Sequence, residues 1–204
     1  MAVITISRQF GAGGRSLGEM LAKKIGYRYV HEDIIKEIAL KAEVSSEQVI
    51  AFEKRGTTKL MKFLDKIMSK SYIDRLTSEN YGYVDETSYV DAVKSIIQGL
   101  YEEGNVVIVG RGGQFILKDK ENICNILLVA DDQYRTRFLM ENYYLNESGA
   151  KKAIARADEI RNRFLSFYAD KEAHNNPLSY NAVFNMGRMS IEKVDNLIAQ
   201  LIVE

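Results

Sequence analysis

Short β-branched runs alternate with helical patterns along this chain, which predicts a three-layer α/β/α fold built on a five-stranded parallel sheet. Two observations carry that reading beyond the alternation itself. The runs Val106-Val-Ile-Val and Ile126-Leu-Leu-Val are continuously apolar, as strands covered on both faces must be. A glycine-rich turn, Gly11 to Gly14, also joins the first apolar run to the first helical pattern.

The expected strands are Ala2–Ile6, Arg28–Val30, Asn105–Val109, Ile123–Ala130 and Asn181–Asn185. Leu17, Leu21 and Ile25, with Met20, form an apolar stripe on a helix over Arg15–Ile25, and Gly26 is placed to cap its end. Asp33 can cap a helix over Ile34–Ala42, and Ser45 or Ser46 can cap the next one, through Lys54. Leu60–Lys70 has the same helical spacing, and Tyr89–Glu103 leads back to the sheet, closed by Gly104. Asp132–Leu145, Ser148–Tyr168 and Ser190–Val203 complete the helices. Residues 43–90 hold no strand pattern and read as a helical insertion within a single domain over 1–204, with a polar loop from Thr77 to Ser88. Pro177, the only proline, follows Asn175-Asn176 and marks a turn before the last strand.

Composition narrows the function classes. Lysine plus arginine and aspartate plus glutamate both total 28, so no global field draws the chain to nucleic acid or membrane, and any basic site is local. With 204 residues, 46% of them hydrophobic, the chain can bury a core without a disulfide or a metal. The lone cysteine, Cys124, lies in an apolar run and reads as a small core residue. The start of the chain lacks a basic segment followed by an apolar stretch and cleavage site, and the expected compartment is the cytoplasm. A homo-oligomer is compatible with this composition, which fixes no copy number.

The most informative segment is Ile4-Thr-Ile-Ser-Arg-Gln-Phe-Gly-Ala-Gly-Gly-Arg-Ser16. Glycines 11, 13 and 14 allow positive φ, so backbone N–H groups can turn inward, and the helix start adds its own orphan donors and dipole. Such a nest suits a polyphosphate. The loop Arg8, Gln9, Gly11, Ala12, Gly13, Gly14, Arg15 and Ser16 is the expected ATP-binding element, with Arg15 as cation and Ser16 as the hydroxyl nearest a magnesium ion. The usual pattern is G-x-x-x-x-G-K-[ST]. Ending it on Gly14-Arg15-Ser16 puts Gln9 first and arginine in place of lysine. A dinucleotide turn, G-x-G-x-x-G, competes: Gly11-Ala-Gly13 starts it, and Asp33 stands 20 residues beyond Gly13, where a ribose-binding acid belongs. Against it, four residues, Ser7 to Phe10, separate the expected strand from the first glycine. A GTPase would need a base-reading N-K-x-D, which is absent.

With these residues in hand, the chain resembles the cytidylate kinase-like family of P-loop nucleoside monophosphate kinases. The matches are Ile6-Ser-Arg-Gln-Phe-Gly-Ala-Gly-Gly-Arg15, Ile108-Val-Gly-Arg-Gly112, Arg156-Ala-Asp-Glu-Ile-Arg-Asn-Arg163 and Tyr180-Asn-Ala-Val-Phe-Asn185, in that order. The resemblance implies a P-loop NTPase fold with strand order 2-3-1-4-5, residues 43–90 as the acceptor-side insertion and residues 132–168 as lid helices. It implies ATP and Mg2+ as cofactors and a nucleoside monophosphate, CMP- or dCMP-like, as acceptor. It also implies that Arg111 contacts the acceptor phosphate and that Arg156 and Arg163, with Arg135 on the preceding helix, close over the transferring group. Five positions depart from the family pattern. Aligned without gaps, Gly14 takes the place of the loop lysine; Val109 replaces an aspartate before the third-strand glycine; His31 stands at an acidic position near the second strand; Glu37 stands where an acceptor-binding arginine is expected; Ile160 replaces a lid aspartate.

Arginine at these places is chemically apt. Phosphoryl transfer needs alignment and positive charge on the phosphate oxygens more than covalent help, and a guanidinium fork holds two such oxygens. Arg111 follows a buried strand at the sheet edge where α/β ligands bind. Arg156 and Arg163 are seven apart and share a helix face, although Glu159 can pair with Arg163 across one turn. Arg135 is preferred over Arg137, which has Glu141 one turn on. Asp33 is the nearest carboxylate for an acceptor hydroxyl or a metal-bound water, and also the cap of its helix. His31 reads as structural. A nucleotide-binding sensor without turnover would account for the missing lysine and for Val109, and an NAD(P)-binding protein is the remaining alternative.

Overall fold

The computed structural model describes residues 2–31 and 86–202. Asp33, the three helices expected between Ile34 and Lys70, and residues 77–85 of the expected polar loop lie outside the described residues; the last three residues expected in that loop, Glu86 to Ser88, are helical instead. Five strands form one parallel sheet: β1 (Val3–Arg8), β2 (Arg28–Val30), β3 (Val106–Val109), β4 (Ile123–Val129) and β5 (Ala182–Asn185), in the order β2-β3-β1-β4-β5. The described helices are α1 (Gly14–Ile25), α2 (Glu86–Glu103), α3 (Gly113–Ile116), α4 (Asp132–Tyr143), α5 (Glu147–Leu165) and α6 (Ile191–Ile202).

β1 lies at the centre because its side chains are buried on both faces. Ile4 and Ile6 pack with Leu17, Leu21, Val107, Val109, Ile126, Leu128, Val194 and Ile198, beneath α1 and α6. Val3 packs on the opposite face with Val106, Ile108, Ile96, Ile97 and Leu117, beneath α2 and α3. The result is an α/β/α sandwich, and each fully buried aliphatic side chain contributes about 1.5–3 kcal/mol. α4 and α5 form a hairpin with a small core of their own, Leu139 against Ala150, Ala153, Ile154 and Ala157. Asp131 caps α4 by accepting from the Tyr134 N–H at 2.7 Å, and Asn146 caps α5 by accepting from the Gly149 N–H at 2.8 Å. α1 ends on Gly26 at φ 71°, as its position predicts.

Two boundaries differ from the sequence reading in a way that bears on the site. β1 continues past Ile6, because Ser7 and Arg8 pair with Leu127 and Leu128 of β4. Only Gln9 and Phe10 therefore separate the strand from Gly11, not the four residues expected. That removes spacing as an argument against a dinucleotide turn. Strand order supplies a better one: β3 lies between β2 and β1, whereas the dinucleotide fold places its second strand directly beside its first. α1 opens on Gly14, one residue earlier than expected.

Candidate active site

At the carboxyl ends of β1, β3 and β4 the chain turns sharply into helices, and the site is built from these turns. After β1, Gln9 locks the loop onto β4: its N–H donates to the Leu128 carbonyl at 3.1 Å, and its Oε1 accepts from the Ala130 N–H at 2.9 Å. Gly11 and Gly13 take φ values of 85° and 77°, which only glycine adopts at little cost. Gly13 caps α1 without a side-chain acceptor, and the first turn of the helix carries no acid. A Cβ on Gly13 would meet none of the described residues within 4 Å. The loop presents backbone donors and a positive helix end, which fits an anion.

After β3, Gly110, Arg111 and Gly112 all have positive φ, at 84°, 57° and 72°. Arginine in that conformation is strained, and such strain is held where surrounding structure demands it. Gly112 then caps α3. Arg111 thus stands at the sheet edge where the sequence placed it, one strand away from the loop.

His31, directly after β2, joins the two turns. Its pKa is pushed down to about 3, first by burial and then by the positive charges of Arg8, Arg111 and Arg15; a hydrogen bond to the Val109 backbone opposes the fall. Three arginines from β1, the β3 turn and α1 therefore act on one neutral imidazole. The sequence reading took His31 as merely structural. The contact that reveals its setting is between strands β2 and β3, which no local pattern encodes.

The α4–α5 hairpin meets the loop from the other side. Arg135 is 5% exposed; its Nη1 donates to Asp158 at 2.7 Å and its Nη2 to Asp132. Burial draws its pKa down, but the bonds to Asp158 and Asp132 outweigh that and hold it above the ordinary value. Nη1 also lies 3.5 Å from the Phe10 carbonyl, and a Cβ on Gly11 would come within 3.1 Å of the Arg135 Cβ. Arg135 is accordingly a clamp between α4, α5 and the loop. From α5, Arg161 rather than Arg156 or Arg163 reaches the sheet: its Nη2 donates to Ser7 Oγ at 3.1 Å and to the His174 carbonyl at 3.2 Å. Burial pulls its pKa below the ordinary value. Tyr180 donates to the same carbonyl at 2.7 Å, and Gln114 Nε2 lies 3.4 Å from both Ser7 Oγ and the Tyr180 hydroxyl. Arg156 is partly exposed and Arg163 exposed. Both project roughly 140–160° round the helix from Arg161. Arg161 was legible as the arginine in phase with Ile154, Ala157 and Leu165, within roughly 40° of them on the buried face.

No group of three metal-ligating side chains occurs among the described residues, and Ser16 is exposed on the first turn of α1. No helix among them is long and apolar enough to cross a membrane. Cys124 is half-buried at the edge of the core and not inside it as its apolar run suggested, and burial raises its pKa.

Comparison with known proteins agrees with this geometry. The model of the cytidylate kinase-like family matches residues 3–188. No curated protein matches. Among solved structures, an uncharacterized protein from Eubacterium ventriosum ATCC 27560 is 19% identical, with a TM-score of 0.66, over 100% of this chain and 99% of its own. A gluconokinase from Sinorhizobium meliloti 1021 is 11% identical with a TM-score of 0.52, over 99% of this chain and 91% of its own. Shikimate kinase from Bacteroides thetaiotaomicron is 14% identical with a TM-score of 0.50, over 100% and 99%. At such identities these three share the fold.

Proposed function

The chain belongs to the cytidylate kinase-like family, and from that premise we propose that it is an ATP-dependent phosphotransferase acting on a small acceptor, with a CMP- or dCMP-like nucleoside monophosphate as the leading candidate. The observation that carries the reading is a glycine loop that opens a helix, with the Arg8 guanidinium laid on the neighbouring β3 turn at Gly110, directly before Arg111. Positive charge at that sheet edge suits a polyanion.

When bound, ATP supplies the transferable phosphoryl group and Mg2+ offsets charge on its oxygens. The chain's own part is to hold and align. Amides of the loop from Arg8 to Ser16 bind phosphate oxygens, Arg15 adds charge to them, and Ser16 offers a hydroxyl to the metal. Arg111 binds the acceptor phosphate across the β3 turn, and Asp33 is the carboxylate for an acceptor hydroxyl. Arg156 and Arg163 face the solvent side of α5 and are suited to closing over a bound polyphosphate, whereas Arg135 and Arg161 fix the hairpin against the loop. Transfer is direct and in line, with no covalent enzyme intermediate.

A sensor that binds nucleotide without turnover is the second reading, favoured by Gly14 and by Val109, which is buried in the core where the family pattern has an acid. Thermal denaturation with Mg-ATP, Mg-GTP, NAD(P) and the nucleoside monophosphates, followed by ADP release with each acceptor, tests both. A ligand at about 100 times its Kd adds about 2.7 kcal/mol, or about 5–10 °C for a chain of this size. Arg15→Ala should shrink the Mg-ATP shift, and Arg163→Ala should lower turnover with the shift retained. Stabilisation by NAD(P) but not by ATP would sink the proposal, and ATP stabilisation without turnover of any acceptor would favour the sensor.

A further inference from the structure

β1 ends on Arg8 and α1 opens on Gly14. Counted from the strand end, the pattern G-x-x-x-x-G-K-[ST] puts its first glycine at Arg8, its second at Gly13 and its lysine at Gly14. Two positions have thus exchanged chemistry: a cation stands where glycine belongs, and glycine stands where the cation belongs. The structure gives the physical link. A Cβ on Gly14 would lie 2.8 Å from Arg8 Cγ and 3.2 Å from its Cβ and Cδ. The two positions share one volume, and only one of them can carry a long side chain.

The Arg8 stem crosses the first residue of α1 and sets its guanidinium on the β3 turn. A Cβ on Gly110 would lie 2.0 Å from Arg8 Nη1 and 2.9 Å from its Cζ. Gly110, at φ 84°, is therefore small for a second reason beyond its backbone. The charged end stands next to Arg111, and its field is felt at His31.

We propose that Arg8 supplies from the strand the phosphate-binding cation that a loop lysine supplies from the helix in the usual pattern, with Gly14 and Gly110 kept small by its path. The inference rests on the triphosphate reading above. It replaces a point charge by a planar fork able to hold two phosphate oxygens. It also moves the cation toward the β3 turn and Arg111. On this account the charge of the vacated lysine position comes from the strand, and Arg15 adds to it from the helix.

The test uses the full chain and four variants: Arg8→Met, Arg8→Gly, Gly14→Lys and the double variant Arg8→Gly/Gly14→Lys. Denaturation midpoints are measured without nucleotide, with Mg-ATP and with inorganic tripolyphosphate. Arg8→Met keeps the stem, so its midpoint without nucleotide should stay near that of the parent, while its affinity for both anions falls about 10- to 100-fold. Gly14→Lys should unfold at lower temperature without nucleotide, because Arg8 occupies the space its stem needs. The double variant should recover both the midpoint and the affinity lost in Arg8→Gly. Parent-like affinity in Arg8→Met overturns the inference, as does strict additivity of the two single changes in the double variant. A parent protein indifferent to Mg-ATP and tripolyphosphate overturns the triphosphate reading and takes the Arg8 assignment with it.

Discussion

The neutral state of His31 makes a prediction that needs no ligand. Unfolded, its imidazole takes up a proton near the ordinary value of 6.5; folded, burial and Arg8, Arg111 and Arg15 hold it unprotonated to about pH 3. Below pH 6.5 the unfolded chain therefore binds a proton that the native chain refuses. By linkage, stability falls as pH falls through that window, until the folded imidazole also titrates near pH 3. At pH 5 the unfolded histidine gains about 2 kcal/mol from its proton, against less than about 0.1 kcal/mol at pH 7.5. His31 keeps some solvent contact, so about 1–2 kcal/mol is expected, or about 2–8 °C in Tm. The clean measurement is a difference of differences. Urea denaturation of the parent and of His31→Gln, each at pH 7.5 and 5.0, cancels every other titrating group. The parent should lose about 1–2 kcal/mol more than the variant on acidification. Tripolyphosphate should shrink that gap in part, because an anion among the arginines offsets their charge while burial continues to disfavour the imidazolium. Equal acid sensitivity in parent and variant would refute the placement of His31 among the three arginines.

Two further outcomes follow from packing. Arg135→Met removes a buried guanidinium from Asp158 and Asp132, and Asp158 is only partly exposed, with side-chain exposure of 31%. The cost should be about 2–4 kcal/mol in urea denaturation, the same with and without Mg-ATP; a loss seen only with nucleotide bound would return Arg135 to the phosphate site. Gly18→Ala would place a Cβ 2.5 Å from Val109 Cγ2 and 3.0 Å from Tyr29 Cε2, between a helix and two strands. Overpacking of about 1–3 kcal/mol should outweigh the gain in helix propensity, and a variant more stable than the parent would show that α1 can lift from the sheet without cost.

The fold was legible because its signals are local. Val106 to Val109 and Ile126 to Val129 are apolar throughout, and that pattern has one common cause, burial on both faces of a parallel sheet. The glycine loop was legible for a related reason: positive φ at Gly11 and Gly13 is written in the residue type. β1's last two residues were missed because Ser7 and Arg8 are polar, and what keeps them in the strand is β4 alongside. The candidate site was legible only in part. Arg111 was found because it follows a strong strand and sits between glycines. Arg161 was passed over for Arg156 and Arg163, since all three are arginines on one helix and only the phase of Ile154, Ala157 and Leu165 tells which one faces inward. Arg135 was named as catalytic; its guanidinium proves to be held by Asp158 and Asp132, partners 23 residues and 3 residues away, and no spacing rule joins the first of them to it.

Charge explains why these parts belong together. Arg8, Arg15 and Arg111 come from three separate elements and repel one another, and the imidazole among them is kept neutral when it could have been a fourth cation. On the proposed reading, an anion bound among them would add negative charge where three cations act on one imidazole. The same reasoning separates Arg135 from the others. Its charge is already matched by Asp158 and Asp132, so a bound phosphate would have to compete with two carboxylates for it. Arg135 and Arg161 hold the hairpin against the loop, and on the proposed reading the polyphosphate is bound by the loop amides and the arginines around His31.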